Sequence, residues 1–239
     1  GQLQSQVPRA DINRSTFNRS HGLKTTFDVD KLVPILVDEV LPGDTHKLNT
    51  NIFARLATPI NPIMDNMYLD TFYFFVPMRL VWDNYAKFFG EQDNPADSTD
   101  YVIPSRSDTG GHGTGGLPDY MGLPIAKTVE HNVLPFRAYW LIYDEWFRDQ
   151  NLQDSRFNGT AIHRGDTGAI ANGDWWNLAT RGKRHDYFTS CLPFAQKGDE
   201  VKVPLGDKAF LSVSTSTSAN DTLGIYSGSN KKYMTDNLN

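Results

Sequence analysis

Two stretches of the sequence decide the fold: residues 45–57, THKLNTNIFARLA, and residues 67–76, MYLDTFYFFV. In the first, apolar or small side chains alternate with polar ones, which predicts a half-buried β-strand. Its inward face would be formed by Leu48, Thr50, Ile52, Ala54 and Leu56. The second stretch is apolar on both faces, which predicts a strand covered on two sides. Pro59 and Pro62 lack a backbone donor, so a loop is expected between the two strands.

Two helices are predicted outside these strands. Val81, Tyr85, Phe88 and Phe89 recur at helical spacing, and Gly90 stands where a C-terminal cap is expected. A stronger helix is predicted over 136–150, because a proline precedes it and one of its faces is aromatic. We expect burial of four of its rings, Tyr139, Trp140, Tyr143 and Phe147. The polar residues of this segment fall largely on the opposite face: Arg137, Asp144, Glu145 and Arg148.

The composition favours a loop-rich β-protein with extensive contacts. The 239 residues include 19 Gly and 13 Pro, which favour turns, and 12% are aromatic, a class enriched at interfaces. Residues 201–213 are expected to form a strand, a turn and a second strand, followed by a Ser/Thr-rich loop at 212–222. No run approaches the roughly twenty apolar residues of a membrane span.

Charge and cysteine content exclude several classes of protein. The formal net charge of -5 argues against a protein that coats nucleic acid over its whole surface, since nonspecific affinity for phosphate comes from excess Lys and Arg. The single cysteine, Cys191, excludes an intrachain disulfide and a cysteine-based zinc site. Any contact with nucleic acid is therefore expected to be local.

Gly111, Gly113 and Gly116 fit the dinucleotide pattern G-x-G-x-x-G, but that motif functions only between a strand and a helix. Polar residues precede these glycines and a proline follows them closely. Residues 105–116 are therefore expected to form a mobile or surface loop that binds no nucleotide.

The titratable residues form no catalytic pattern along the sequence. The six histidines occur singly, so each is expected to be a surface or hydrogen-bonding residue. Close carboxylates occur at Asp28/Asp30, Asp38/Glu39 and Asp144/Glu145, but sequence neighbours point to different sides of a strand or helix. A solvated or subunit-bridging role is expected for them, with calcium binding a minor alternative. We predict no enzymatic activity, no catalytic residue, no cofactor and no metal site.

Two basic clusters are the candidates for nucleic-acid binding. Residues 1–24 are expected to form an extended basic arm with a single acid and four cations, Arg9, Arg14, Arg19 and Lys24. The second cluster combines cations with aromatic rings: Arg181, Lys183, Arg184, Tyr187 and Phe188. Cations follow the phosphates of single-stranded nucleic acid, and aromatic rings stack on its bases.

Each cluster also has an alternative interpretation. The arm could tie neighbouring subunits together, with its arginines paired to acids such as Asp38 or Glu39. The second cluster could be a solvated loop beside core aromatics, since such clusters are common on surfaces. We favour a genome contact for the arm, because an acidic protein that holds DNA needs a concentrated basic patch.

Collinear stretches of the chain resemble one family, the major capsid proteins of microviruses, in particular the gokushovirus branch. They include RSH at 19–21, KTTFD at 24–28, DEVLPGDT at 38–45, FARLATP at 53–59 and LVWDN at 80–84. Further matches are FGEQ at 89–92, WFRDQNL at 146–152 and DYFTS at 186–190. These stretches lie mostly outside any general motif.

The resemblance implies an all-β viral jelly roll, an eight-stranded antiparallel sandwich whose long loop insertions contain short helices. This domain would occupy residues 25–239, behind the arm. Family members are considerably longer, so the chain is expected to be an N-terminal portion, which leaves open whether every barrel strand lies within it.

The resemblance also implies a function and partners. The chain would be a structural protein that self-assembles into an icosahedral shell around a single-stranded DNA phage genome. It would reside in the virion after assembly in the host bacterial cytoplasm. Its partners would be copies of itself, the packaged DNA, a small basic internal DNA-binding protein and a spike or pilot protein, without any membrane.

A second hypothesis is a glycan-binding, lectin-like jelly-roll module, since that fold also serves lectins and aromatic loops stack on sugars. Particle size discriminates between the two. A capsid protein forms megadalton shells, whereas a glycan-binding module remains small and binds sugars. A hydrolase on a β-scaffold is a weaker third hypothesis, because no nucleophile and base stand out.

Overall fold

A computed structural model describes residues 12–98, 100–157, 162–168, 176–188, 190–191 and 198. The chain divides into two compact units, Gly1–Asp186 and Tyr187–Asn239. The architecture that follows is that of the first unit. The strands expected over 201–213, the loop expected over 212–222 and Arg9 lie outside the described residues.

The described part of the first unit is low in helix and contains a small antiparallel sheet. In chain order it forms a 3-10 turn (Met78–Leu80), helix α1 (Tyr85–Phe88), strand β1 (Ser105–Ser107), helix α2 (Leu117–Tyr120), strand β2 (Glu130–Asn132) and helix α3 (Leu134–Ile142). A π-helical turn (Tyr143–Phe147) extends α3. Strands β1 and β2 are antiparallel neighbours with Arg106 opposite His131. Across these residues, no helix has both the length and the apolar character needed to cross a bilayer.

Helix α3 and its π-helical turn confirm the stronger predicted helix. The helix begins at Leu134, with Pro135 in the first turn, where a missing backbone N–H leaves no intrahelical bond unmade. Four rings of this segment were expected to be buried. Trp140 and Tyr143 are buried, and Tyr139 and Phe147 are half-buried. The weaker helix is also confirmed as α1, and Gly90 just beyond it has the positive φ of a helix-ending residue.

Two hydrophobic clusters pack on opposite faces of α3. One contains its residues Phe136 and Trp140, together with Leu117, Val133, Tyr143, Ile162 and Ala179. The other contains its residues Leu134 and Leu141, together with Val81 and Trp82. A helix that is apolar on both faces belongs in an interior. Helix α3 is therefore the central element of the described fold.

Two of the four polar residues expected opposite the aromatic face, Arg137 and Asp144, are buried, which corrects the simple amphipathic interpretation. Arg137 is 0% exposed. Its Nη1 donates to the carbonyl oxygens of Val81 (3.1 Å) and Gly165 (2.9 Å), and its Nη2 donates to that of Thr167 (2.8 Å). Burial lowers the pKa of Arg137, while the nearby carboxylates Asp166 and Asp83 act in the opposite direction. The guanidinium thus joins two segments that approach α3 from elsewhere in the sequence.

Asp144 is likewise buried, so the solvated role expected for it was wrong. The chain after the π-helical turn folds back and offers donors to this carboxylate. Asp144 Oδ2 accepts from Ser155 Oγ (2.6 Å) and from the backbone N–H groups of Arg156 (2.8 Å) and Phe157 (3.1 Å). A buried carboxylate is retained where such donors replace its water.

Tyr139 ties two distant segments to α3. Its hydroxyl donates to the carbonyl oxygen of Leu32 (2.8 Å) and accepts from the backbone N–H of Ala179 (2.9 Å). Beside it, the Leu32 N–H donates directly to the Ala179 carbonyl (2.9 Å), and Lys31 forms an isolated bridge with Thr180. Burial raises the pKa of Tyr139 to about 12.

The strands predicted over 45–57 and 67–76 are not formed among the described residues. Neither stretch lies in a helix or a sheet, and every residue from 39 to 75 is exposed. A strand exists only as part of a hydrogen-bonded ladder, whose partner is set by distant residues and not by local alternation. The rest of the described chain supplies no such partner to either stretch.

The loop expected over 105–116 begins in fact with strand β1, which was missed because three polar residues carry no alternating pattern. The remainder lies at the surface but is packed against the following chain. Gly111 has φ +72°, and a Cβ there would lie 2.3 Å from the backbone nitrogen of Lys127. The glycine is required by this close approach.

Replacing Arg137 by Met should unfold the first unit more easily. The substitution keeps an unbranched apolar stem but leaves one buried carbonyl and two partly buried carbonyls without their donor. An unpaired buried group costs about 1–3 kcal/mol. We expect a loss of at least about 3 kcal/mol in the free energy of unfolding, measured by urea denaturation. The matched control is Arg79→Met at an exposed position, and equal losses in both variants would contradict this role.

Replacing Tyr139 by Phe should remove a pH dependence of stability at high pH. An ordinary tyrosine has a pKa of about 10, so the unfolded chain loses this proton before the folded chain does. The contribution of Tyr139 is complete below about pH 10 and is lost between about pH 10 and 12, on the order of 2 kcal/mol. Urea denaturation at pH 9 and 11.5 should show a larger decrease for the native chain than for Tyr139→Phe. Equal decreases would be inconsistent with this account.

Candidate assembly and nucleic-acid interface

Residues 39–75 form an exposed stretch of the described surface that is rich in large apolar side chains. Sixteen large hydrophobic side chains of this stretch are exposed: Val40, Leu41, Leu48, Ile52, Phe53, Leu56, Ile60, Ile63, Met64, Met67, Tyr68, Leu69, Phe72, Tyr73, Phe74 and Phe75. Phe53 and Met64 are more than nine-tenths exposed, at 91% and 92%. Soluble monomers rarely expose contiguous apolar patches of this kind, which mark interaction sites.

The end of this stretch contacts the core through aromatic rings. Phe72 meets Phe147 edge to face with ring centroids 5.4 Å apart, and Phe74 meets Trp146 at 5.9 Å. These contacts cover one side of the stretch only, since Phe72 and Phe74 remain 39% and 40% exposed. The stretch is therefore positioned by the core and still open to a partner.

The basic arm is described from residue 12 onward, and its cations differ in their contacts. Arg19 forms an ion pair with Asp38 at 2.7 Å within the same chain. Arg14 donates to the carbonyl oxygen of Gly43 at 3.0 Å. Lys24 is exposed. The described part of the arm thus lies along the start of the apolar stretch, where Asp38 pairs with an arginine of its own chain.

The second basic cluster is gathered around a single carboxylate, Asp70. Its Oδ2 accepts from Arg181 Nη1 (2.5 Å) and Arg184 Nη2 (2.8 Å). These two hydrogen bonds lower the pKa of Asp70. The guanidinium of Arg184 also lies over the Tyr68 ring (4.5 Å), and that of Arg181 over Phe72 (5.6 Å). The structure therefore places Arg181 and Arg184 against the apolar stretch.

The other members of the second cluster are arranged differently. Lys183 pairs with Asp186 at 2.8 Å. Tyr187 and Phe188 belong to the second unit, and each is 95% exposed. Their rings are accessible to a partner such as a nucleobase.

Sequence reasoning missed Asp70 as a member of this site. The signal was a lone acid within an otherwise apolar and aromatic run, MYLDTFYFFV. An isolated charge in such a run needs a partner of opposite charge. The arginine-rich segment was one candidate for that partner. The pairing itself spans more than one hundred residues and had no local signature.

Comparison with known proteins shows the family to which the chain belongs. Residues 5–239 match the family described as "Capsid protein (F protein)". The chain belongs to this phage capsid protein family. Three curated relatives are each named "Capsid protein VP1". The resemblance to microvirus capsid proteins is therefore confirmed.

The relatives come from different phages. The chain is 51% identical over 207 residues to the protein of Bdellovibrio phage phiMH2K, covering 86% of this chain and 38% of the relative. It is 46% identical over 228 residues to that of Chlamydia phage 1, covering 87% and 38%, and 36% identical over 211 residues to that of Spiroplasma virus 4, covering 83% and 37%. The chain thus spans well under half the length of the curated relatives it matches.

Replacing Asp70 by Asn should free the two arginines of this phage capsid family member that now share its carboxylate. An amide keeps the shape but loses the charge that holds both guanidinium groups. We expect faster modification of Arg181 and Arg184 by an arginine-specific dicarbonyl reagent, followed by peptide mass spectrometry. The control is Asp65→Asn, since Asp65 accepts from the adjacent Asn66 N–H. Unchanged reactivity in Asp70→Asn would show that the pairing does not persist in solution.

Proposed function

We propose that this chain acts as the shell-forming subunit of a phage, or as part of one, by associating with copies of itself. The observation that carries the proposal is the exposed apolar stretch 39–75 in a member of a capsid protein family. The role is structural and requires no catalytic group. The protein would accordingly reside in the virion after assembly in the bacterial host.

The energetics of the apolar stretch support association. Full burial of one large apolar side chain contributes about 1.5–3 kcal/mol. The sixteen side chains are already partly covered, so burying all of them would contribute on the order of 15–30 kcal/mol. This gain matches or exceeds the roughly 4–15 kcal/mol lost in translational and rotational freedom on association. This chain leaves the surface in water, so the same residues favour burial against further protein, which we propose includes neighbouring copies in the shell.

The proposed architecture of the assembled subunit is the viral jelly roll. In that state residues 45–57 and 67–76 would enter antiparallel ladders, which satisfies their alternating and two-sided apolar patterns. The helices α1, α2 and α3 would belong to loop insertions between barrel strands. Residues 25–239 would form this domain behind the basic arm, with further strands supplied from outside the stretch described.

The proposed nucleic-acid contacts are local and involve single-stranded DNA. Lys24, Tyr187 and Phe188 are exposed, and the arm lies beside the apolar stretch. Since the chain carries a net charge of -5, the cations of the arm and of the second cluster would be the places where phosphate is attracted. A small basic internal protein and a spike or pilot protein are further partners consistent with the family.

The assembly proposal is tested by charge substitutions in the apolar stretch of the full-length protein. Phe53→Asp and Ile60→Asp should leave a folded, soluble subunit that no longer forms shells, because a carboxylate opposes burial at the interface. The matched controls, Phe53→Leu and Ile60→Val, should assemble normally. Sedimentation velocity measures particle size, and circular dichroism reports whether the subunit is folded.

Two outcomes would contradict the proposal. Normal shells from Phe53→Asp would show that the stretch is not an interface. An unfolded Phe53→Asp subunit would place this ring in the interior of its own subunit. A small particle that binds glycans, and never assembles, would support the lectin-like alternative instead.

The nucleic-acid proposal is tested by neutralising the arm. Replacing Arg9, Arg14, Arg19 and Lys24 by Gln should reduce the DNA content of particles. It should also flatten the salt dependence of DNA release, with the logarithmic slope smaller by roughly 0.7 for each phosphate that the arm no longer neutralises. Replacing Arg79 and Lys87 by Gln provides a control at cations outside both clusters. Normal packaging with an unchanged salt slope would show that the arm does not contact the genome. The alternative role, in which the arm connects neighbouring subunits, would then be favoured.

A further inference from the structure

Three metal-ligating side chains meet at the end of the small sheet. Asp108 follows strand β1 directly, and His131 is the central residue of strand β2. His112 lies in the connection between the strands and forms an isolated bridge with Ile125. One ligand atom from each of the three side chains lies within 4.8 Å of the other two. The expectation that every histidine stands alone was therefore wrong for this pair.

Two of the donor atoms are buried without a partner. Asp108 Oδ2 and His131 Nε2 are enclosed by protein and make no hydrogen bond. A buried polar atom left unpaired costs about 1–3 kcal/mol. Two unpaired buried atoms on residues whose ligand atoms lie within 4.8 Å of one another are the arrangement expected of a site that binds a cation.

The remaining atoms of these side chains are held in the orientation that ligation requires. His131 Nδ1 lies 3.1 Å from the carbonyl oxygen of Val129, which can only accept, so Nδ1 carries the proton and Nε2 carries the lone pair. Asp108 Oδ1 accepts from Arg106 Nε (2.7 Å) and Nη2 (2.6 Å), which directs Oδ2 toward His112.

The third donor, His112 Nε2, lies 3.5 Å from Asp108 Oδ2. Trp176 packs against the His112 ring with centroids 4.6 Å apart and restricts its orientation.

We propose that Asp108, His112 and His131 form a binding site for a divalent transition-metal ion of the zinc class. Two imidazole nitrogens and one carboxylate oxygen are a ligand set that zinc accepts, with a fourth position left for water or another group. Calcium and magnesium prefer sites made of oxygen ligands alone, so this donor set selects against them.

The distances are close to those of a formed site. Ligand atoms about 2.1 Å from a tetrahedral ion are about 3.4 Å apart, and the Asp108–His112 pair is already at 3.5 Å. The other separations are all within 4.8 Å, so none would need to contract by more than about 1.4 Å. Gly110 and Gly111, both with positive φ, lie in the connection that would move.

The charge of Arg106 sets an upper limit on affinity. Its guanidinium orients Asp108 but also repels an incoming cation, so binding should be weaker than in cysteine-rich zinc sites. The ion would connect β2 to both ends of the turn that begins at Asp108. Its role would be to fix the 108–130 connection against the sheet.

Titration of the full-length protein with Co²⁺, which gives a visible spectrum, tests the proposal. We expect saturable binding of one ion per chain, displaced by Zn²⁺, without the near-ultraviolet thiolate band that Cys191 would produce. His112→Gln, His131→Gln and Asp108→Asn should each weaken binding by at least about 10–100-fold, the range measured even for outer-shell partners. His46→Gln is the matched control, because His46 is also paired with an aspartate, Asp44 at 3.9 Å, but belongs to no group of three ligands among the described residues.

Three results would overturn the proposal: no saturable binding by the native chain, undiminished binding in His131→Gln, or an equal loss in His46→Gln. Zinc-edge X-ray absorption of the native chain gives an answer that does not depend on variant folding. Two histidine ligands are expected there, and a spectrum with no histidine or with sulfur would refute the site.

Discussion

The buried guanidinium of Arg137 is the interaction on which the described fold depends. It donates to carbonyl oxygens of two segments distant in sequence, at Val81 and at Gly165 and Thr167. A parallel contact reinforces it, since Trp82 Nε1 donates to Asp166 at 2.6 Å. Because buried carbonyls are costly to leave unpaired, these segments cannot separate from α3 individually. The central helix and both hydrophobic clusters therefore form a single folded core.

The apolar stretch 39–75 has the opposite character. It is attached to that core by a few rings and by the Asp70 arginine pairs, and its other side faces water. Large exposed apolar surfaces mark sites where further protein packs, and in the proposed shell that protein includes neighbouring subunits. The contrast between a well-tied core and an uncovered apolar surface is the physical basis of the proposed assembly.

The features that could be predicted from the sequence are those specified by local pattern. Helix α3 follows from the aromatic period behind Pro135, and α1 from its apolar spacing with Gly90 beyond it. The apolar patterns of 45–57 and 67–76 indicate which side chains favour burial. They do not indicate which strand each stretch pairs with, because that strand is distant in sequence. The Asp70 pairs, the Arg137 bonds and the meeting of His112 with His131 likewise join residues distant in sequence, so no spacing rule reveals them. The family resemblance supplied the function that these local patterns could not.

Hydrogen–deuterium exchange of residues 39–75, compared between free subunits and assembled particles, measures whether assembly covers the apolar stretch. The account predicts fast exchange in the free subunit and strong protection in the particle, because assembly would bring the stretch into hydrogen-bonded, water-excluded contacts. Equally fast exchange in both states would show that the stretch stays in solvent after assembly. Equally slow exchange in both would show that the subunit covers it unaided, and either result would contradict the account.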